Sequence, residues 1–422
     1  MIPLSLEEVA ALAPGELDAA PWAGEISGIE IDSRRISDGE LFVAVGAGAD
    51  FCKHAFARGA AATLLPDDAF AALAALGKAV RDRSSARVVG ITGSLGKTTT
   101  KDILAALCRP HVRTVAAEAG YNNELGLPLT LARIEHDTEL VITEMAMRGL
   151  GQIRRLCELA RPQIGVITSI GPIHLELLGT VDRIAQAKAE LLEALPPGAV
   201  AIIPRSPELE PYVPPSLDVR YIGPGDSSVD AFERLDDGCR IRFDLRGEQV
   251  EAEFSFTVRH HATNALAAML ALEALGLPFP TERVEVAFSR WRGEETPLPG
   301  GGLLINDAWN ANPVSMRGAL DHLVERAAGR RKVAVLGEMA ELGSYSDEAH
   351  REVARAVEEA GVDVLIAVGP RARAYGGRWV ADAAEAVEAL REELRPGDCV
   401  LVKGARALGL EAVAEALVAV TA

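Results

Sequence analysis

The chain has 422 residues, 49% of them apolar and 25% charged, which excludes disorder, collagen-like repeats and a small disulfide-stapled scaffold. At about 150 residues per domain, this length points to about three domains, because a single hydrophobic core stops growing well before it. With 43 cationic and 61 acidic side chains the net charge is −18, which argues against nucleic acid and anionic membranes as partners. Any polyanionic ligand must therefore be held at a local site.

Only seven of the cations are lysines: Lys53, Lys78, Lys97, Lys101, Lys188, Lys332 and Lys403. Genomic base composition or thermal adaptation explains the bias, but not why these positions kept lysine. The five cysteines, Cys52, Cys108, Cys157, Cys239 and Cys399, are odd in number and lack C-x-x-C spacing. They support neither a zinc site nor a disulfide framework, and fit a reducing cytoplasm. The N-terminus has no basic stretch followed by an apolar core, and the apolar run Ala265 to Leu275 is broken by Glu273. The expectation is a cytoplasmic protein, neither exported nor inserted in a membrane.

In chain order, residues 1–84 alternate short β-like runs (Leu41 to Val45, Ala62 to Leu65) with Ala-rich helical stretches (Lys53 to Gly59, Asp68 to Leu76), which reads as a small α/β domain. The charged segment Arg81 to Ser85 marks the first boundary. Residues 85–295 give strands Val88 to Ile91, Leu140 to Glu144, Ile164 to Ser169 and Ala199 to Ile203 with helices between them, the pattern of a parallel sheet covered on both faces. Alternation in Arg240 to Arg246 and Ala252 to Thr257 predicts antiparallel strands appended to that sheet, and Asn264 to Leu275 a helix. The Pro/Gly stretch Thr296 to Gly302 marks the second boundary. Residues 296–422 give strands Leu303 to Asn306, Val333 to Gly337, Val364 to Val368 and Val400 to Lys403, each followed by a helix, as in a Rossmann-like open sheet.

Between the strand ending at Ile91 and a helix through Cys108 lies Thr92-Gly-Ser-Leu-Gly-Lys-Thr-Thr-Thr100. Strand, glycine loop, Lys-Thr and helix form the phosphate-binding context. Gly93 and Gly96 let backbone amides face phosphate oxygens, Lys97 reaches the β/γ-phosphates and the Thr98 hydroxyl suits Mg²⁺. A strict P-loop has glycine at the position of Ile91, so this is a variant; a plain glycine turn is the alternative. ATP binding is the inference.

Glu144 closes its strand at the carboxyl edge, either as a Mg²⁺ ligand or as a strand-end acid with local partners. His174 falls on a loop at the same edge, as a ligand or a structural residue. Within the helical segment Thr180 to Leu195, the apolar stripe Val181, Ile184, Leu191, Leu192 and Leu195 has Lys188 in its middle. An inward ammonium is costly enough to lose its proton, and a neutral amine reacts with CO₂ to give a carbamate. An ordinary snorkelling lysine is the alternative.

Together the P-loop string, Glu144, Pro172-Ile-His-Leu-Glu176 and Ala187-Lys-Ala-Glu190 resemble the Mur ligase family over essentially the whole chain. Further stretches, Tyr121-Asn-Asn-Glu-Leu-Gly-Leu-Pro, Asn306-Asp-Ala-Trp-Asn-Ala-Asn-Pro313, Leu336-Gly-Glu-Met-Ala-Glu-Leu-Gly343 and Lys403-Gly-Ala-Arg406, are similar to the branch that adds D-alanyl-D-alanine to UDP-N-acetylmuramoyl-tripeptide. The sibling adding the third amino acid usually has a D-N-P-R motif, absent here. A P-loop ATPase of another kind, or a nucleotide-binding module without catalysis, would leave Lys188 and the flanking domains unexplained.

The resemblance implies an ATP-dependent carboxylate–amine ligase working through an acyl phosphate in peptidoglycan synthesis, as a monomer. It implies Lys97, Glu144, His174 and Lys188 as catalytic residues. Two Mg²⁺ ions would sit at Thr98, Glu144, His174 and a carbamate on Lys188. ATP would contact Gly93, Ser94, Leu95, Gly96, Lys97, Thr98, Thr99, Asn264, Arg292, Asp307 and Asn310. The UDP end would lie on domain 1–84 and contact Ser33, Arg34, His54, Asn122 and Asn123. The dipeptide would lie on domain 296–422 near Asn312, Met339 and Lys403. Departures from the family pattern are Cys52-Lys53 before His54, His260-His261 before Asn264, Trp309 for tyrosine, Ser169 for asparagine and Ala405 for serine.

Overall fold

The computed structural model describes residues 1–172 and 175–419. Among these residues the strands form four sheets. The chain divides into two compact units, one of residues 1–170, 185–255 and 263–287, the other of residues 171–184, 256–262 and 288–422.

In the first unit a nine-stranded sheet has the order Glu248–Phe254, Cys239–Leu245, Ser227–Arg234, Asp218–Ile222, Val200–Pro204, Ile164–Ile167, Arg87–Thr92, Leu140–Glu144 and Thr114–Ala116. From Asp218–Ile222 to Thr114–Ala116 every pairing is parallel. Val88, Val89, Ile91, Val141, Ile142 and Val166 are all fully buried, as expected for parallel strands covered on both faces. The other end is the expected antiparallel ribbon, and burial alternates along Cys239–Leu245 because one of its faces meets solvent. Strand Arg87–Thr92 has Leu140–Glu144 on one side and Ile164–Ile167 on the other, so the chain reverses direction across the sheet there. Open α/β sheets place their ligands at the carboxyl ends flanking such a point.

A four-stranded sheet joins Gly15–Ala19, Ala62–Pro66, Glu40–Val43 and Gly28–Glu30, with only the first pair antiparallel. Gly15–Ala19 escapes sequence reading because it is an exposed edge strand with no apolar alternation. Helix Ala69–Asp82, capped by Asp68 on the Phe70 and Ala71 amides, packs on helix Gly126–Leu131. Its buried Arg81 donates from Nε to Ala160 O and from Nη1 to Ser84 O, both at 2.9 Å. Ala160 ends helix Gln152–Ala160, and its carbonyl has no acceptor role inside that helix.

The second unit is built on a six-stranded sheet in the order Glu294–Leu298, Gly302–Asp307, Cys399–Lys403, Lys332–Gly337, Val364–Val368 and Arg378–Val380. One apolar core, with Met316, Leu320, Leu323 and Val353, covers one face; a second, with Leu390, Val400, Val413 and Leu417, covers the other. The Pro/Gly stretch is more than a spacer, because Pro297 sits in an antiparallel edge strand opposite Leu303. An edge position tolerates proline, which has no amide to donate. The five cysteines carry free thiols, and burial pushes those of Cys108, Cys157 and Cys239 up to about 12. No helix among the described residues is long and apolar enough to cross a membrane.

Replacing Arg81 by leucine keeps apolar bulk but takes the donor from the buried Ala160 carbonyl and from the half-buried Ser84 carbonyl. The urea midpoint should fall by the equivalent of about 1–3 kcal/mol with the m-value unchanged; an unshifted midpoint would show that water satisfies both carbonyls.

Candidate active site

Strand Arg87–Thr92 delivers the chain to the glycine loop, and helix Lys97–Cys108 leaves it with Gly96 as its left-handed N-cap. Gly93 and Gly96 both have positive φ, 148° and 79°. A Cβ on Gly93 would lie 2.0 Å from Thr168 Oγ1, and one on Gly96 would lie 2.1 Å from Asn264 Oδ1. The loop therefore requires glycine at both positions. The amides of Lys97, Thr98 and Thr99 head the helix and have no intrahelical acceptor, so they and the helix dipole favour an anion. Lys97 Nζ donates to Gly93 O at 2.8 Å, which keeps the ammonium across the loop. Ser169 braces the loop from beyond the neighbouring strand: its Oγ accepts the Leu95 amide at 2.8 Å and its carbonyl accepts the Ser94 amide at 2.9 Å. In the sequence Ser169 reads as a strand end and a departure from the family pattern, whereas it lies beyond the strand, which ends at Ile167.

Thr98 and Glu144 are each 2% exposed, and Thr98 Oγ1 donates to Glu144 Oε2 at 2.7 Å. The other carboxylate oxygen, Oε1, accepts from Asn122 Nδ2 at 2.8 Å. Glu144 thus has local partners, and with Thr98 it forms an oxygen pair at the head of the P-loop helix. Hydroxyl and carboxylate oxygens are the donors that suit a hard cation such as Mg²⁺. Among the described residues no group of three or more His, Cys, Asp or Glu could hold a metal by itself. His174 lies outside the described residues.

Lys188 sits in helix Val181–Glu193 and is 2% exposed, so the inward orientation read from the stripe holds. Burial, and next the charge of Lys97, hold its ammonium well below the ordinary lysine range. Two residues on, buried Glu190 accepts the amides of Gly151 and Arg154, the latter at 3.0 Å, and so caps helix Gln152–Ala160. Lys101, a lysine with no assigned role in the sequence, is also buried: Nζ pairs with Asp102 Oδ1 at 2.6 Å and donates to Ala117 O at 2.7 Å.

Of the residues expected at the UDP end, His54 Nδ1 lies 3.0 Å from the buried Ser33 Oγ, so these two meet. Exposed Arg34 forms a bidentate pair with Asp32, its Nη2 at 2.7 Å from Oδ2, and this hydrogen bond holds the Asp32 carboxyl down at about 2. Asn122 and Asn123 also make contacts within the protein. Asn122 serves Glu144, and Asn123 Oδ1 accepts the amides of Leu125 and Gly126 at 3.1 and 3.0 Å.

In the second unit Asp307 and Lys403 end adjacent parallel strands in register. Lys403 Nζ lies 2.6 Å from Asp307 Oδ2 and 2.9 Å from Asn310 O. Beside them Trp291 and Trp309 stack at 6.1 Å between centroids, with the guanidinium of Arg292 5.0 Å over Trp309 and that of Arg406 4.6 Å over Trp291. Asn312 caps helix Pro313–Ala327 through a reciprocal pair with Ser315. The Met339 side chain is buried in the core, while its amide donates to His350 Nε2 at 3.1 Å.

Residues 91–272 match the Mur ligase middle domain and residues 291–406 the Mur ligase glutamate ligase domain. The chain is 36% identical to the UDP-N-acetylmuramoyl-tripeptide–D-alanyl-D-alanine ligase of Mycobacterium bovis, covering 99% of this chain and 98% of that protein. It is 33% identical to the ligase of the same name from Synechocystis, covering 93% and 92%. The crystal structure of MurF from Acinetobacter baumannii superposes with a TM-score of 0.83 at 26% identity, covering 98% of each chain. MurF ligase from Thermotoga maritima in complex with ADP superposes with a TM-score of 0.77 at 26% identity, covering 92% of this chain and 96% of the other. By these matches, which run from one end of the chain to the other, it belongs to the Mur ligase family.

Proposed function

We propose that this chain is the ATP-dependent ligase that joins D-alanyl-D-alanine to the tripeptide carboxylate of UDP-N-acetylmuramoyl-tripeptide, in the cytoplasm and as a monomer. The observation that carries the reading is the buried Thr98–Glu144 pair at the head of the P-loop helix, in a chain 36% identical over its length to a ligase of that name. A carboxylate is a poor electrophile at neutral pH. Its oxygen attacks the γ-phosphorus of ATP, ADP leaves, and the resulting acyl phosphate accepts the dipeptide amine. Amide formation then expels phosphate. The loop amides and Lys97 hold the phosphoryl group and take up charge that develops on its oxygens. Thr98 and Glu144 would hold one Mg²⁺, which when bound spreads the negative charge of the transferring group.

The same reading assigns a second ion to His174 and a carbamate on Lys188. Carbamate formation joins the neutral amine to CO₂ and releases one proton, converting a buried neutral amine into an anionic oxygen ligand. Burial of Lys188 favours the neutral amine that this step needs. The domain limits 1–84, 85–295 and 296–422, with the precursor on the first, ATP on the second and the dipeptide on the third, belong to this proposal.

Phosphate release with ATP and UDP-N-acetylmuramoyl-tripeptide should depend on added D-alanyl-D-alanine and match the amide formed. Release indifferent to the dipeptide would identify an ATPase. For Lys188→Ala, kcat for ligation should drop by about 10²–10³-fold, with ADP affinity close to wild type. With ¹³C-bicarbonate a carbamate carbon resonance should appear in the wild type, be missing from the variant, and fade as acidification protonates the amine. Full activity of Lys188→Ala would overturn the carbamate assignment.

A further inference from the structure

Arg35 lies one residue beyond the Asp32-Ser33-Arg34 turn. Its guanidinium has three partners: Nε lies 3.2 Å from Glu30 Oε2, Nη1 donates to Tyr121 Oη at 3.1 Å, and Nη2 donates to Glu118 Oε2 at 2.8 Å. On the near side, Glu30 is buried and its other oxygen accepts the amides of Ile31 and Asp32 at 2.8 and 3.1 Å. The Arg35 amide closes the turn on Asp32 O at 2.9 Å. The carboxylate that Arg35 grips therefore also shapes the turn presenting Ser33 and Arg34.

On the far side, Tyr121 precedes Asn122. Asn122 holds Glu144 Oε1 by its side chain, and its carbonyl accepts the Ala146 amide at 2.8 Å. The loop of residues 118–123 begins where Lys101, on the P-loop helix, holds Ala117 O. Arg35 is thus fastened to one end of a loop whose other fastenings are the P-loop helix and Glu144. The guanidinium fork is planar, so a shift of the turn is passed to Tyr121 and Glu118 as a change of direction as well as of distance. The Arg35 and Glu118 side chains are 46% and 34% exposed, so this pair adds little stability and its value is geometric.

We infer that Arg35 is a positioning residue that couples the Asp32-Ser33-Arg34 turn to Glu144, so that a nucleotide-sugar diphosphate bound at the turn tightens the binding of ATP. The inference rests on the proposed function, which takes the turn as the precursor site and Glu144 as an ATP-side carboxylate.

The test is the affinity of a non-hydrolysable ATP analogue, with Mg²⁺, measured with and without UDP-N-acetylmuramoyl-tripeptide. Wild type, Arg35→Ala, Arg35→Lys and Arg133→Ala are compared; Arg133 shares Glu118, at 2.7 Å from Oε1, without reaching the turn. The precursor should tighten analogue binding by about 5–150-fold in wild type and in Arg133→Ala. That ratio should collapse toward unity in Arg35→Ala and take an intermediate value in Arg35→Lys. The analogue affinity without precursor and the thermal midpoint should stay near wild type, which a merely structural role of Arg35 would not allow. A full ratio in Arg35→Ala overturns the inference, as does a wild-type ratio of one. If Arg35→Ala fails to fold, a full ratio in Arg35→Lys does the same. Wild-type turnover with the dipeptide, measured separately, reports on the ligase reading: its loss with the ratio intact would sink that reading and leave the coupling standing.

Discussion

The arrangement around Glu144 depends on a carboxylate held in a fixed direction at the carboxyl end of a buried strand. One oxygen takes the Thr98 hydroxyl and the other takes the Asn122 amide, so neither can swing. Each partner comes from a different connection, Thr98 from the helix after the central strand and Asn122 from the loop after edge strand Thr114–Ala116. A buried carboxylate without donors is costly, and these two donors offset its desolvation at a point where helix-head amides already favour phosphate. The parallel register of Arg87–Thr92 with Leu140–Glu144, pairing Ile91 with Glu144, is what makes the contact possible.

The overall charge of −18 makes local electrostatics decisive. In the proposed reading, phosphate recognition would rely on groups that carry no net charge in the composition count, namely loop amides and a helix dipole, supplemented by Lys97. Three of the scarce lysines are buried, and arginine would serve none of these positions. Lys101 is a compact ammonium shared between Asp102 and the Ala117 carbonyl. Lys403 sits between Asp307 and Asn310 O. Lys188 is held toward the neutral state, which a guanidinium does not reach.

Features written in consecutive residues were legible in the sequence. The strand, glycine loop, Lys-Thr and helix occupy one short segment, so its backbone course followed from residue type alone. The orientation of Lys188 was legible because helical period carries facing information over three turns. Contacts made by strand ends from distant parts of the chain were not. Ser169 supports Leu95 from 74 positions away, and Asn122 reaches Glu144 across 22; neither residue type declares its partner. For the same reason the sequence does not show that Asn122 Nδ2 serves Glu144 or that Asn123 Oδ1 accepts the amides of the turn into helix Gly126–Leu131. Short edge strands such as Gly15–Ala19 were missed because solvent exposure erases the alternation that marks a strand.

Helix Val181–Glu193 explains why Lys188 and Glu190 do not neutralise each other despite lying two residues apart in a buried helix. At about 100° per residue their side chains diverge by about 200°, onto opposite faces. Glu190 uses its face to cap helix Gln152–Ala160, whose first turn follows the loop that leaves Glu144. Its charge is spent on backbone amides, so it offers nothing to stabilise an ammonium at Lys188. A lysine that took such a carboxylate as partner would stay protonated and lose its nucleophilic amine. The helix thus separates two demands: one face fixes the backbone beyond Glu144, and the other keeps an amine free of anionic neighbours on its own helix, which the proposed carbamate chemistry requires.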